Sequence, residues 1–102
     1  MPVKKTAVTR NHQADALVDV LKALAHSRRI GILLQLREGP RLVSEISANV
    51  ALKASNCSHQ LAILRARGFV AANRAGHAKQ YEITPEGAKV LGLIEQITVR
   101  LA

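Results

Sequence analysis

From Ala14 onward, apolar and polar positions alternate with a period close to that of an α-helix. Leu17, Val18, Leu21, Leu24 and Ala25 share helical spacing, and Asp15 and Asp19 stand early, where the helix dipole favours acids. A second helix is predicted over about 27 to 38. Ser27 can cap it, Ile30, Leu33 and Leu34 form its stripe, Arg28, Arg29 and Arg37 lie off that stripe, and Gly39-Pro40 ends it. Val43, Ile46 and Val50 recur at steps of three and four, which predicts a short third helix over 42 to 49 with Asn49 as its stop. Cys57, Leu61 and Leu64 occupy i, i+4 and i+7, so a fourth helix at about 54 to 67 lines one apolar face, and Gly68 caps its C-terminus.

The period changes at Phe69. Phe69 to Asn73 and Gln80 to Thr84 are short runs, with Tyr81 and Ile83 alternating in the second, and they flank Arg74-Ala75-Gly76-His77-Ala78-Lys79. That predicts a two-stranded hairpin with a polar, basic tip. Thr84-Pro85-Glu86 then supplies a cap, a first-turn proline and an early acid for a fifth helix through Val90, Leu91, Ile94, Ile97 and Leu101. Such an apolar stripe must be buried against something. Residues 1–11 carry Lys4, Lys5 and Arg10 without an acid or a periodic pattern and read as a flexible basic arm, which leaves 12–102 as the folded domain. The fold class is mainly α with a small β-hairpin wing, a winged helix-turn-helix in the order α-α-α-α-β-β-α.

Composition narrows the function. At 102 residues the chain is one domain, and a domain this short hides only about 60 to 70% of its unfolded surface, so it often gains stability by pairing with a copy. Aromatic residues are 2% of the chain, which disfavours single-strand readers that stack bases on aromatic platforms. The lone Cys57 makes no internal disulfide, the start MPVKKTAVTR lacks a secretory apolar run, and charges interrupt every apolar segment. The expectation is a cytoplasmic protein with no membrane partner.

Charge supplies the sharper signal. The formal charge is +8, and between Glu45 and Glu82 there is no acid, while Lys53, Arg65, Arg67, Arg74 and Lys79 all fall in that interval. Acids repel phosphates, so their absence from this interval, with seven present elsewhere, is what a DNA-facing surface requires. With Cys57 facing the core, Ser55, Asn56 and His59 turn outward and Ser58 and Gln60 take the flanks. Such side chains suit readout of base edges in the major groove, whereas the bland alternative is an ordinary solvated face. The candidate DNA-binding residues are therefore Lys53, Ser55, Asn56, Ser58, His59, Gln60, Arg65, Arg74, His77 and Lys79.

These residues resemble a known family. Ala23-Leu24-Ala25-His26-Ser27-Arg28-Arg29-Ile30-Gly31-Ile32-Leu33 is similar to the opening signature of the ArsR/SmtB family of small dimeric winged-helix repressors, and Val43-Ser44-Glu45-Ile46 is similar to its next helix. Leu52 through Phe69-Val70, with Ser55, Ser58-His59-Gln60-Leu61 and Leu64-Arg65, resembles the family's recognition helix and the start of its wing, which Gly76 and Tyr81 also fit. The resemblance spans about residues 14 to 101. MarR-like and PadR-like repressors share the Thr84-Pro85-Glu86-Gly87 turn, so those relatives stay open. One departure is Lys53, where the family usually places a capping Ser. A lysine cannot accept the orphan N–H bonds of the helix start, and its charge opposes the positive helix end, a cost that makes sense if a DNA phosphate sits there.

The resemblance implies a trigger, yet the family's usual ones are missing. Where arsenic- or lead-type members carry paired cysteines this chain has Leu42 and Ser44, and the carboxylate-histidine set of zinc-type members finds no His after His77 and only Glu86 and Glu95 beyond Glu82. His12, Asp15 and Asp19 could share a helix face and supply part of a Ni or Zn site at a dimer interface, although acids at a helix start are commonly just solvated. His26, at a helix junction, reads as structural. Cys57 could act as a redox trigger beneath the reading helix, or simply be a small core residue, as its company with Leu61 and Leu64 suggests. The expectation is no dedicated cofactor, with binding either constitutive or controlled by a protein co-regulator or a redox input.

The leading function is thus a homodimeric transcriptional repressor that binds a double-stranded DNA operator. The alternative is a winged-helix protein-interaction module whose basic face is not sequence-specific. No enzyme motif is present: G-x-x-x-x-G-K-[ST], H-E-x-x-H and G-x-S-x-G are all absent.

Overall fold

The structure, a computed structural model, describes the backbone of residues 2–101 and the side chains of residues 12–101. Five helices and three strands follow in the order α1 (Pro2–Leu24), α2 (Ser27–Arg37), β1 (Arg41–Leu42), α3 (Val43–Asn49), α4 (Ala54–Ala66), β2 (Val70–Ala75), β3 (Ala78–Ile83) and α5 (Pro85–Leu101). The strands form one antiparallel sheet in the order β1-β3-β2. This is the winged helix-turn-helix architecture expected from the pattern.

Three details of the helix limits and strand order differ from the sequence reading. The helical backbone of α1 runs back to Pro2, through the stretch read as an arm without regular structure. Extending a formed helix adds one hydrogen bond per residue, and Lys, Ala and Arg are good helix formers, so missing amphipathicity does not stop it. The Lys4, Lys5 and Arg10 side chains lie outside the described residues. Second, α2 is capped by His26 and not by Ser27: His26 has extended backbone, and its Nδ1 accepts from the Arg28 N–H at 3.2 Å. Third, Arg41–Leu42 forms a short third strand, pairing Arg41 with Tyr81 and Leu42 with Gln80.

The core collects one face from each element. Leu24, Ile32, Leu33, Leu36, Ile46, Cys57, Leu61, Leu64, Phe69, Val70, Tyr81 and Leu91 are buried together. On α2 the buried residues are Ile32, Leu33 and Leu36, whereas Ile30 is half-buried and Leu34 exposed, so the stripe is rotated from the predicted one. The outer faces of α1 and α5 are not covered by this chain. Leu17, Val18 and Leu21 are exposed, as are Leu93, Ile97, Val99 and Leu101. Only Ala23 and Leu24 of the described part of α1 are buried.

Two turns fix α4 and the wing. Between α3 and α4, Ala51 takes a left-handed conformation (φ +53°), which costs a non-glycine residue about 1 to 2 kcal/mol. At the other end of α4, Gly68 is left-handed (φ +77°), its N–H donates to the Arg65 carbonyl and the Phe69 N–H donates to the Leu64 carbonyl, both at 3.0 Å. These two bonds form a Schellman motif, which satisfies the last carbonyls of the helix and turns the chain into β2. Thr84 closes the module. Its Oγ1 donates to the Gly68 carbonyl at 2.6 Å and accepts from the Gly87 N–H at 3.0 Å, so one hydroxyl joins the end of α4 to the start of α5.

Candidate nucleic-acid interface

Helix α4 buries Cys57, Leu61 and Leu64 completely and thereby aims its opposite face at solvent. Ser55, Asn56, Ser58, His59 and Arg65 are all exposed on it. Lys53 is the N-cap residue, with extended backbone and no side-chain capping bond, as expected from its chemistry. A cation is thus carried at the N-cap, the positive end of the helix, where a phosphate would relieve it.

The wing stands beside this face. Its strands are joined by the two-residue loop Gly76-His77, tighter than the six-residue tip expected, with Gly76 at φ +66° supplying the backbone that such hairpins need. Arg74 and Lys79 are directly paired across the hairpin. Like charges so placed are mutually destabilising unless an anion lies against them. An open groove of about 520 Å³ separates α4 from the wing and is lined by Val43, Ser58, Ala62, Arg65, Lys79 and Tyr81, among others. Arg65 and Lys79 thus face one channel from its two sides. Glu82, the acid of the hairpin, accepts from Asn73 Nδ2 at 2.9 Å.

One predicted reader is otherwise engaged. Gln60 is half-buried, and its Oε1 accepts from Arg29 Nη1 at 2.7 Å. The remaining nitrogens of Arg29 close the end of α1: Nε donates to the Ala23 carbonyl at 2.6 Å and Nη2 to the Lys22 carbonyl at 3.2 Å. Leu21 and Leu24 give their carbonyls to the N–H groups of Ala25 and His26. All four C-terminal carbonyls of α1 are thereby satisfied, two of them by a cation where the helix dipole favours one. Sequence reasoning missed this role of Arg29, because nothing local marks a contact spanning 31 positions.

The candidate triggers fare differently. Cys57 has no exposed surface, and burial pushes its thiol above the usual range, which is the setting of a small core residue and not that of an activated thiolate. His12, Asp15 and Asp19 are exposed on α1, and among the described residues no three His, Cys, Asp or Glu side chains gather into a metal-binding group. No helix of the described residues is long and apolar enough to cross a membrane.

A polar helix face, a basic wing on the same side and an apolar core behind define the class of winged helix-turn-helix DNA-binding proteins. The family profile described as "Bacterial regulatory protein, arsR family" matches residues 26–72. The HTH-type transcriptional regulator Rv0081 of Mycobacterium tuberculosis is 42% identical over 85 residues, covering 81% of this chain and 75% of that protein. Its crystal structure superposes with a TM-score of 0.81, covering 87% of this chain and 91% of that one. The regulator NmtR of the same organism is 35% identical over 80 residues, covering 78% of this chain and 67% of that protein. The homodimeric winged helix-turn-helix DNA-binding domain of Mb0332 from Mycobacterium bovis superposes with a TM-score of 0.77 at 30% identity, covering 87% of this chain and 83% of that one. The chain belongs to the ArsR family of transcriptional regulators.

Proposed function

We propose that the protein is a homodimeric repressor that reads an imperfectly palindromic operator with α4. Ser55, Asn56 and His59 face base edges in the major groove, Lys53, Ser58 and Arg65 hold flanking phosphates, and Arg74, His77 and Lys79 on the wing meet phosphates or the minor groove. The observation that carries this reading is the shared orientation of two basic elements: the exposed face of α4 and the wing border one groove, with cations on both sides. Two copies pair through α1 and α5, whose exposed Leu17, Leu21, Ile97, Val99 and Leu101 are apolar side chains that a second copy would cover. The two α4 helices then enter successive major grooves about 34 Å apart. Bound at a promoter, such a dimer represses by occluding it.

Control does not run through the family's usual metal positions, because Leu42, Ser44 and the His-free α5 offer no suitable donor set. With Cys57 buried, the input left is a protein co-regulator or the abundance of the repressor itself. The test is a salt titration of binding to its own upstream region and to scrambled DNA. A specificity ratio above about 10³ is expected. A ratio near one would favour a protein-interaction module, and release of DNA by a tightly bound metal would contradict the control proposed.

A further inference from the structure

Arg29 is the hydrogen-bonded link between the helix that pairs with a second copy and the helix that reads DNA. Its guanidinium holds the carbonyls of Lys22 and Ala23 at the end of α1 and the side chain of Gln60 in the middle of α4, at 3.2, 2.6 and 2.7 Å. Gln60 is one helical turn from Asn56, on the flank of α4 that faces away from the groove lined by Ser58 and Arg65. Arg29 itself belongs to α2, whose Ile32, Leu33 and Leu36 are locked in the core. A planar fork with three engaged nitrogens fixes direction as well as distance, which a lysine cannot do.

We propose that Arg29 and Gln60 are positioning residues that set the half-site spacing the dimer accepts. The position of α1 is decided in the assembly by what covers Leu17, Val18 and Leu21, which this chain leaves exposed. Through the guanidinium that position fixes the flank of α4, and in a two-fold dimer the orientation of both α4 helices fixes the distance between their footprints. Gln60 therefore acts on specificity without touching DNA. The proposal rests on the reading of α4 as the DNA-contacting helix.

Three duplexes from the protein's own upstream region test it: the full operator, one isolated half-site, and the operator with two base pairs inserted between its halves. Wild type should favour the full operator over the inserted one. Gln60→Ala should lose about 10-fold in affinity for the full operator, as one charge-assisted hydrogen bond is lost, while its half-site affinity stays at the wild-type level and its penalty for the insertion shrinks. Gln60→Glu keeps an acceptor for Arg29 and should retain the wild-type spacing preference. Arg29→Lys should resemble Gln60→Ala, with circular dichroism confirming that it folds. An unchanged insertion penalty in Gln60→Ala would overturn the proposal, as would loss of half-site binding in both Gln60 variants, the signature of a direct base reader. A wild-type protein that binds operator and scrambled DNA alike would instead contradict the function from which the proposal starts.

Discussion

Gly87 lies against the backbone of Phe69 so closely that a Cβ at position 87 would stand 2.2 Å from the Phe69 carbonyl oxygen and 2.9 Å from Ile83 Cγ1. The same oxygen accepts from the Thr84 N–H at 3.0 Å, so it cannot retreat without breaking the joint between α4, the wing and α5. The glycine after Thr84-Pro85-Glu86 is thus a packing requirement. Gly87→Ala should destabilise the fold by about 3 kcal/mol and lower the thermal midpoint by roughly 10 to 20 °C, read from a melting curve. A variant melting with the wild type would show that α5 can shift away from Phe69.

Lys53 separates stability from function. A serine there can accept an orphan N–H of the first turn of α4, and removing the lysine removes a cation from the positive helix end. Lys53→Ser should stabilise the free protein by about 1 kcal/mol in denaturant titrations and yet weaken DNA binding. Gains in both would show that no phosphate sits at this position.

The buried thiol predicts inertness. Cys57 should react with a bulky disulfide reagent only when the domain opens, so that labelling is slow in buffer and fast in denaturant. Rapid stoichiometric labelling of the native protein, accompanied by release of DNA, would instead make Cys57 a redox trigger.

The contact of Arg37 with Glu95 ties α2 to α5 at the surface and holds the Glu95 carboxyl below its ordinary range. A depressed folded-state value means stability that is present above the unfolded carboxylate value of about 4.3 and is lost as pH falls through the folded value. Melting midpoints of wild type and Glu95→Gln should therefore differ at neutral pH, with wild type higher, and converge in acid. The gap should be small and shrink with salt, since both groups are solvent-exposed. A gap that widens in acid would contradict the assignment.

Local patterns carried most of the fold. The i, i+4, i+7 spacing of Cys57, Leu61 and Leu64 told which face of α4 is inside, Gly68 marked its end, and Thr84-Pro85 opened α5, because caps and periodicity are properties of neighbouring residues. What escaped depends on distant partners. Arg41–Leu42 is too short for an alternation signal and is a strand only because β3 lies beside it. Gln60 has the chemistry of a base reader, and only the arrival of Arg29 from 31 positions away engages its side-chain oxygen within the fold. His26 displaced Ser27 as a cap because the turn after α1 places the imidazole, one residue earlier, at the first free N–H groups of α2.

The central claim is that α4 reads sequence while the wing holds phosphate. The most direct test compares the salt dependence of operator and scrambled-DNA binding for Asn56→Ala and His59→Ala with that for Arg74→Ala and Lys79→Ala. The α4 variants should lose operator preference with an unchanged salt slope, and the wing variants should weaken binding to both DNAs while lowering the slope by about 1 per lost phosphate contact. Equal loss of preference and slope in both sets would contradict this division between helix and wing.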